Sequence, residues 1–236
     1  MKAGKRVFFA GLLAVASVFF ACPARADLFW QTRSVSVHID SQPNGSSIQK
    51  YYFTPYAMRV DLGAGQVIIV RYKTMKLYRL DTAKRTWTQI DLAGAPEIAG
   101  IDQKDLSQML GAVMGTDVFP TNKYRTISGY RCREYFVRIA IVNGEYWVSR
   151  DVPGYRELEA AGEEAGAIAQ CNPVFRRIDI PGLVRKLGGF PVRTVNHILG
   201  GTITSTLTKI EQKRLNPTLF EVPPTYKAEK TEPSPE

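Results

Sequence analysis

Between Asp27 and Asp91 turn residues cut the chain into β-type runs so short that no helix of ordinary length fits between them. This rhythm constrains the fold more than any other feature. LFWQTRSVSVHID places Val35, Val37 and Ile39 on one side at period two, and Pro43-Asn44-Gly45 then supplies a turn. IQKYYF reads as the returning strand. YAMRVDL, from Tyr56 to Leu62, sets Met58, Val60 and Leu62 on one face and Arg59 and Asp61 on the other, before Gly63-Ala64-Gly65 closes it. QVIIVRY, KLYRL and RTWTQID continue the series. Short strands joined by tight turns predict an antiparallel meander.

The period changes at Ile101, where DQKDLSQMLGAVMG spaces Leu106, Met109, Leu110 and Val113 as one apolar helix face. Strands resume with KYRTIS and YRCREYFVRIAIV; Asn143-Gly144 reads as a hairpin turn and EYWVSRD as the strand after it. Tyr155 to Gln170 is rich in Ala and Glu and predicts a helix. Asn172 before Pro173 reads as the N-cap of a second, which Pro181-Gly182 interrupts. Gly188-Gly189 ends the helical region, and PVRTVNHIL, a Gly200-Gly201 turn, TITSTLTKIEQKRL and a short LFEV return to β. From Pro223, PPTYKAEKTEPSPE has too little to bury and reads as disordered.

The N-terminus bears on compartment. Lys2, Lys5 and Arg6 precede an apolar run from Val7 to Ala21, and Ala24-Arg25-Ala26 comes next with small residues at cleavage spacing. This is the order of a secretory signal peptide, and the run is shorter than the roughly 20 residues that span a bilayer. The expected organisation is a signal peptide over 1–26 cleaved after Ala26, one domain over 27–222, and a tail over 223–236. Acylation of Cys22 after lipoprotein-type processing is the alternative, and would tether the domain to a membrane. With four of the 31 basic residues removed, 27 bases face 22 acids, a mild +5. Export and scattered bases argue against nucleic acid as a partner; transient contact with a membrane surface is compatible with the charge. Cys132 and Cys171 remain, and an oxidising compartment favours their pairing, with two separate buried thiols as the alternative. A loop of that length would contribute roughly 4 kcal/mol.

Catalytic signatures are missing from the sequence. Its two histidines, His38 and His197, lack companions at metal-ligand spacing, and it contains no phosphate loop, C-x-x-C or G-x-S-x-G. Ser149, Arg150 and Asp151 stand side by side. Strand period sends Tyr146, Val148 and Arg150 to one face and Trp147, Ser149 and Asp151 to the other, so the serine and arginine diverge. The expectation is a protein that is not an enzyme, with no cofactor and no metal.

The runs IIVRYKTMKLYRLDTAKRTWTQIDL, ISGYRCREYFV, EYWVSRDVPG, GGFPVRT and IEQKRLNPTLFEVPPTY resemble the DUF4412 family of bacterial envelope proteins, grouped with the LolA/LolB-like fold. The resemblance covers roughly Ser47 to Tyr226; the Glu/Ala segment ending at Cys171 departs from it. It implies a mostly β α+β fold: a curved, unclosed antiparallel half-barrel with a few helices over its concave face. It also implies an apolar space for a lipid, an acyl chain or a lipoprotein. On this sequence the lining would be Met58, Val60, Leu62, Ile69, Tyr78, Trp147, Ile203 and Leu207, with Leu106 and Met109 on a helical lid running to Met114. The alternative is an envelope scaffold with a packed interior and no ligand.

Overall fold

In the computed structural model the described residues are 27–38, 44–91, 116–139, 142–160, 185–198 and 200–229. Every strand among them joins one sheet. The strands are β1 (Leu28–Val37), β2 (Gly45–Phe53), β3 (Ala57–Gly63), β4 (Gln66–Arg71), β5 (Lys76–Asp81), β6 (Thr86–Asp91), β7 (Thr116–Ile127), β8 (Tyr130–Ile139), β9 (Val142–Ser149), β10 (Phe190–Ile198), β11 (Gly201–Gln212) and β12 (Lys227–Ala228). Their order is β12-β6-β5-β4-β3-β2-β1-β11-β10-β9-β8-β7, and the sheet does not close into a barrel. All pairs are antiparallel except β12 with β6. The expected mostly β, unclosed sheet is therefore what forms. Short helical stretches occur at 155–160 and 185–187.

Tight turns build the meander as the glycine and polar signals predict. Between β5 and β6 the Asp81 carboxylate accepts the amides of Ala83 and Lys84 at 3.0 and 2.9 Å. The amide of Lys84, ahead of the other contributions, holds that carboxyl below its ordinary value. The two halves meet where β1 lies between β2 and β11, from Leu28 opposite Gln212 to Val37 opposite Thr202.

The sheet packs on both faces. On the first, Leu28, Trp30, Phe53, Trp147, Phe190, Val192 and Leu207 form a buried cluster with Val152 and Tyr155, which lie just beyond β9. On the second, Phe29, Ala57, Val67, Ile69 and Leu80 pack beneath Leu215 and Phe220 of the C-terminal segment. Leu28, Phe29 and Trp30 are all buried, as befits a central strand covered on both sides.

Three expectations are corrected. LFEV is not a strand: Pro217–Phe220 is a 3-10 helix whose N-cap Asn216 accepts the Thr218 amide at 3.1 Å. Asn before Pro favours such a start, and that signal outweighs four β-compatible letters. The tail is ordered further than composition suggests. Lys227 and Glu229 donate amides to the carbonyls of Arg85 and Trp87 at 2.9 and 2.8 Å, because the β6 edge offers unpaired backbone groups. Asn143-Gly144 is not the hairpin turn, since Ile139 pairs with Val142 and Arg138 with Asn143, so the reversal falls between Ile139 and Val142. Gly144 is buried within the strand; a Cβ there would meet Asn196 Oδ1 at 2.7 Å and the Val195 carbonyl at 2.9 Å. The glycine serves close strand approach, and its pairing with Asn143 only mimics a turn signal.

Among the described residues Cys132 has no disulfide partner; it is fully buried in the first cluster, its Sγ 3.4 Å from the Tyr130 carbonyl. Its expected partner Cys171 lies outside the described residues, as do residues 1–26 with Cys22, and Leu106 and Met109.

Candidate functional site

The first face is the candidate site, and its centre is aromatic. Trp30 of β1 stacks on Tyr51 of β2 with centroids 4.8 Å apart and rings within 3° of parallel, while Phe190 of β10 meets it edge-on at 5.8 Å. A bulge in β10 between Pro191 and Arg193 adds one residue opposite β9, and Val192 is driven fully into the cluster. Arg125 of β7 lies over the Trp147 ring at 5.3 Å and covers its outer side. Nearby, buried Glu134 accepts from the Thr121 hydroxyl at 2.9 Å and pairs with Lys123 at 3.3 Å.

The chain leaves β9 through a turn and begins a helix at 155, laying Val152, Tyr155 and Leu158 on this face. Tyr155 donates to Glu159 Oε1 at 2.9 Å. Burial foremost, and then the Glu159 carboxylate, push its phenol up to about 12. Burial alone pushes Tyr72 up as well.

Away from this centre the same face continues across β3 to β6 as half-buried apolar side chains. Register places Met58, Val70 and Leu77 in one row, ending at exposed Ile90, and Val60 and Ile68 in the next. Met58 and Tyr72 link the row to the buried cluster.

The expected lining residues divide accordingly. Met58, Trp147 and Leu207 come together in the cluster, Val60 shares the Met58 face, half-buried, and Leu62, also half-buried, stands at the bulge between Asp61 and Gly63. Ile69 and Tyr78 do not belong to it. They pair with each other, and Ile69 pairs with Arg59, so they look to the second face, under Phe220 and Leu215. Ile203 pairs with Ser36 and Asn196 and joins none of the buried clusters. Sequence reasoning missed Trp30, Tyr51, Phe190 and Val192. The alternation of Val35 and Val37 marks the outer end of the strand, where Val37 is exposed, and the unbroken run LFW is the better signal of a doubly buried strand.

The Ser149-Arg150-Asp151 triplet is used by the fold. Ser149 is buried and its hydroxyl accepts the Asp151 amide at 3.2 Å, whereas Arg150 Nε donates to the Gly188 carbonyl at 2.8 Å. His197 is exposed, with Nδ1 3.4 Å from the Thr202 hydroxyl. Among the described residues no group of three or more His, Cys, Asp or Glu could hold a metal ion.

No protein of curated function matches the sequence. Among solved structures it is similar to PNGF-II at 12% identity and a TM-score of 0.41, over 87% of this chain and 31% of that one. It is similar to MucB at 9% identity and 0.38, over 82% and 56%. It is also similar to a putative outer membrane lipoprotein-sorting protein domain from Vibrio parahaemolyticus at 8% and 0.33, over 84% and 90%. The chain thus spans less than a third of PNGF-II and little over half of MucB. The Domain of unknown function (DUF4412) matches residues 36–226, most of the chain, and the chain belongs to that family.

Proposed function

We propose that the protein is an exported, non-catalytic component of the bacterial cell envelope that holds an apolar ligand, a lipid or acyl chain, on the first face of its sheet. The observation that carries this is the half-buried apolar field of Met58, Val60, Ile68, Val70 and Leu77, continuous with the aromatic cluster around Trp30 and Trp147. Burial of such surface is worth about 25 cal/mol per Å² before ordering costs. A lipoprotein's acyl chains are the form of this ligand that an envelope protein of this kind would meet. Export is supported by the basic, apolar and A-x-A order of the first 26 residues.

Native mass spectrometry of the protein purified from the periplasm should show a co-purifying species, and a fluorescent fatty acid should be taken up. Val60→Asp, at a half-buried site, should abolish uptake in protein that circular dichroism shows to be folded, and Trp147→Ala should weaken it. A ligand-free spectrum together with no uptake sinks the reading. The scaffold reading would then stand, supported by the side-chain filling of the zone around Leu207 and Val192.

A further inference from the structure

The second face carries a cleft unlike the first. It has a volume of about 350 Å³ and lies where the end of β9, the segment at 187–188 and the outer strands β7 and β8 meet. Arg131, Arg133 and Arg150, with Tyr124 and Tyr135, line it, and Asp151 is its one carboxylate among the described residues. Val148 also lines it, and comes directly after Trp147 in the strand, so the cleft and the aromatic cluster lie on opposite sides of the sheet.

The guanidiniums are held rather than loose. Arg133 Nε donates to the Thr121 carbonyl at 2.9 Å, and its guanidinium sits 5.6 Å from the Tyr135 ring and 6.0 Å from the Tyr124 ring. Arg131 lies over Tyr124 at 5.5 Å. Arg150 Nε is anchored on the Gly188 carbonyl, and Gly188, at φ +57, has no Cβ to crowd the Arg150 Nη2 that would stand 3.1 Å away. Both anchors use Nε and leave the terminal nitrogens to other partners. Among the described residues none of the three arginines enters an ion pair. Three like charges around one small cleft repel each other, and an anion between them removes that repulsion while taking paired, charge-assisted hydrogen bonds.

We propose that this cleft binds a phosphate ester, its oxygens held by Arg131, Arg133 and Arg150 and its organic part flanked by Tyr124 and Tyr135. Three guanidiniums against one carboxylate match a doubly charged group better than a single carboxylate. The volume exceeds what a bare ion fills, and Asp151 offers an acceptor for a hydroxyl on the organic part. A soluble sugar or glycerol phosphate and an anionic phospholipid headgroup share this chemistry.

The test uses the full chain, expressed with its leader and purified, with glycerol 3-phosphate in calorimetry and vesicles of phosphatidylglycerol or phosphatidylcholine in sedimentation. Arg131→Gln removes a side chain with no hydrogen bond among the described residues, and Arg133→Lys keeps the charge but loses the planar fork. Each should weaken binding by about tenfold or more, with unchanged thermal unfolding for Arg131→Gln and a small loss for Arg133→Lys, which also gives up the Nε bond to the Thr121 carbonyl, while Lys84→Gln on the distant β5–β6 turn should leave binding intact. Binding of free glycerol 3-phosphate identifies a soluble ligand. Sedimentation with phosphatidylglycerol and not phosphatidylcholine, without binding of the free phosphate, identifies a headgroup. Binding of neither, or binding that both arginine variants preserve or that Lys84→Gln reduces equally, overturns the proposal.

Discussion

At the scale of single residues, Gly144 and Tyr155 show how neighbours set the tolerance of a position. A side chain at Gly144 would run into Asn196 and the Val195 carbonyl, which its Cβ would meet at 2.7 and 2.9 Å. Gly144→Val should therefore cost about 1–3 kcal/mol by overpacking, read as a lower urea midpoint; an unchanged midpoint would mean that β9 and β10 separate easily. Tyr155 titrates at about 12 because of burial and Glu159, above the ordinary 10.0, and burial also raises Tyr51 and Tyr146. A phenol with a raised folded-state pKa contributes stability that is complete below the unfolded value and is lost as pH climbs through the folded one. Stability should thus fall between pH 10 and about 12, and Tyr155→Phe should flatten part of that fall. Urea midpoints against pH, with tyrosinate absorbance monitored in parallel, decide it.

At the scale of elements, the C-terminal segment is a strap across the second face. Asp27 ties down its start by accepting the amides of Lys213 at 3.0 Å and Leu215 at 2.8 Å. Arg59 and Arg71 donate to the carbonyls of Leu219 and Phe220 at 3.2 and 3.0 Å, and Phe220 fills the space above Ala57 and Ile69. Phe220→Ala should cost about 3–5 kcal/mol, a loss that thermal or urea unfolding would register; a cost below about 1 kcal/mol would mean that the strap contributes little to the core. The strap also explains how an element escapes a sequence reading. Its residues have no period of their own, and their apolar members find partners only on a sheet built 130 or more positions earlier, at Ala57, Ile69 and Leu80.

At the scale of the whole molecule, the central seam of β1 with β11 joins segments at opposite ends of the described chain, while β7 and the two-residue β12 form the sheet's edges. Native-state hydrogen exchange should find the amides of β1 and β11 most protected and those of β12 and outer β7 least. Comparable protection at β12 and β1 would contradict the pairing order. The two proposed sites also separate at this scale. The aromatic cluster beside the apolar field reaches β9 at Trp147 on one face and the arginine cleft reaches it at Val148 on the other, and the two have no lining side chain in common.

The positions of most strands, most turns and the family resemblance are legible in the amino-acid sequence by itself, although β7 starts at Thr116, seven residues before the expected KYRTIS. They arise from local alternation, from glycine and polar turn signals, and from the words of the sequence, since φ/ψ preference and side-chain period act within a few residues. The face on which each side chain is buried is not legible there. Met58 and Ile69 are both apolar strand residues, yet register sets Ile69 opposite Arg59 and so onto the second face with Tyr78. Register, the bulges at Thr208 and Val192, and the partner that covers each side are long-range facts. A shift of one residue in pairing exchanges the two faces, and only tertiary contacts between distant strands select between them.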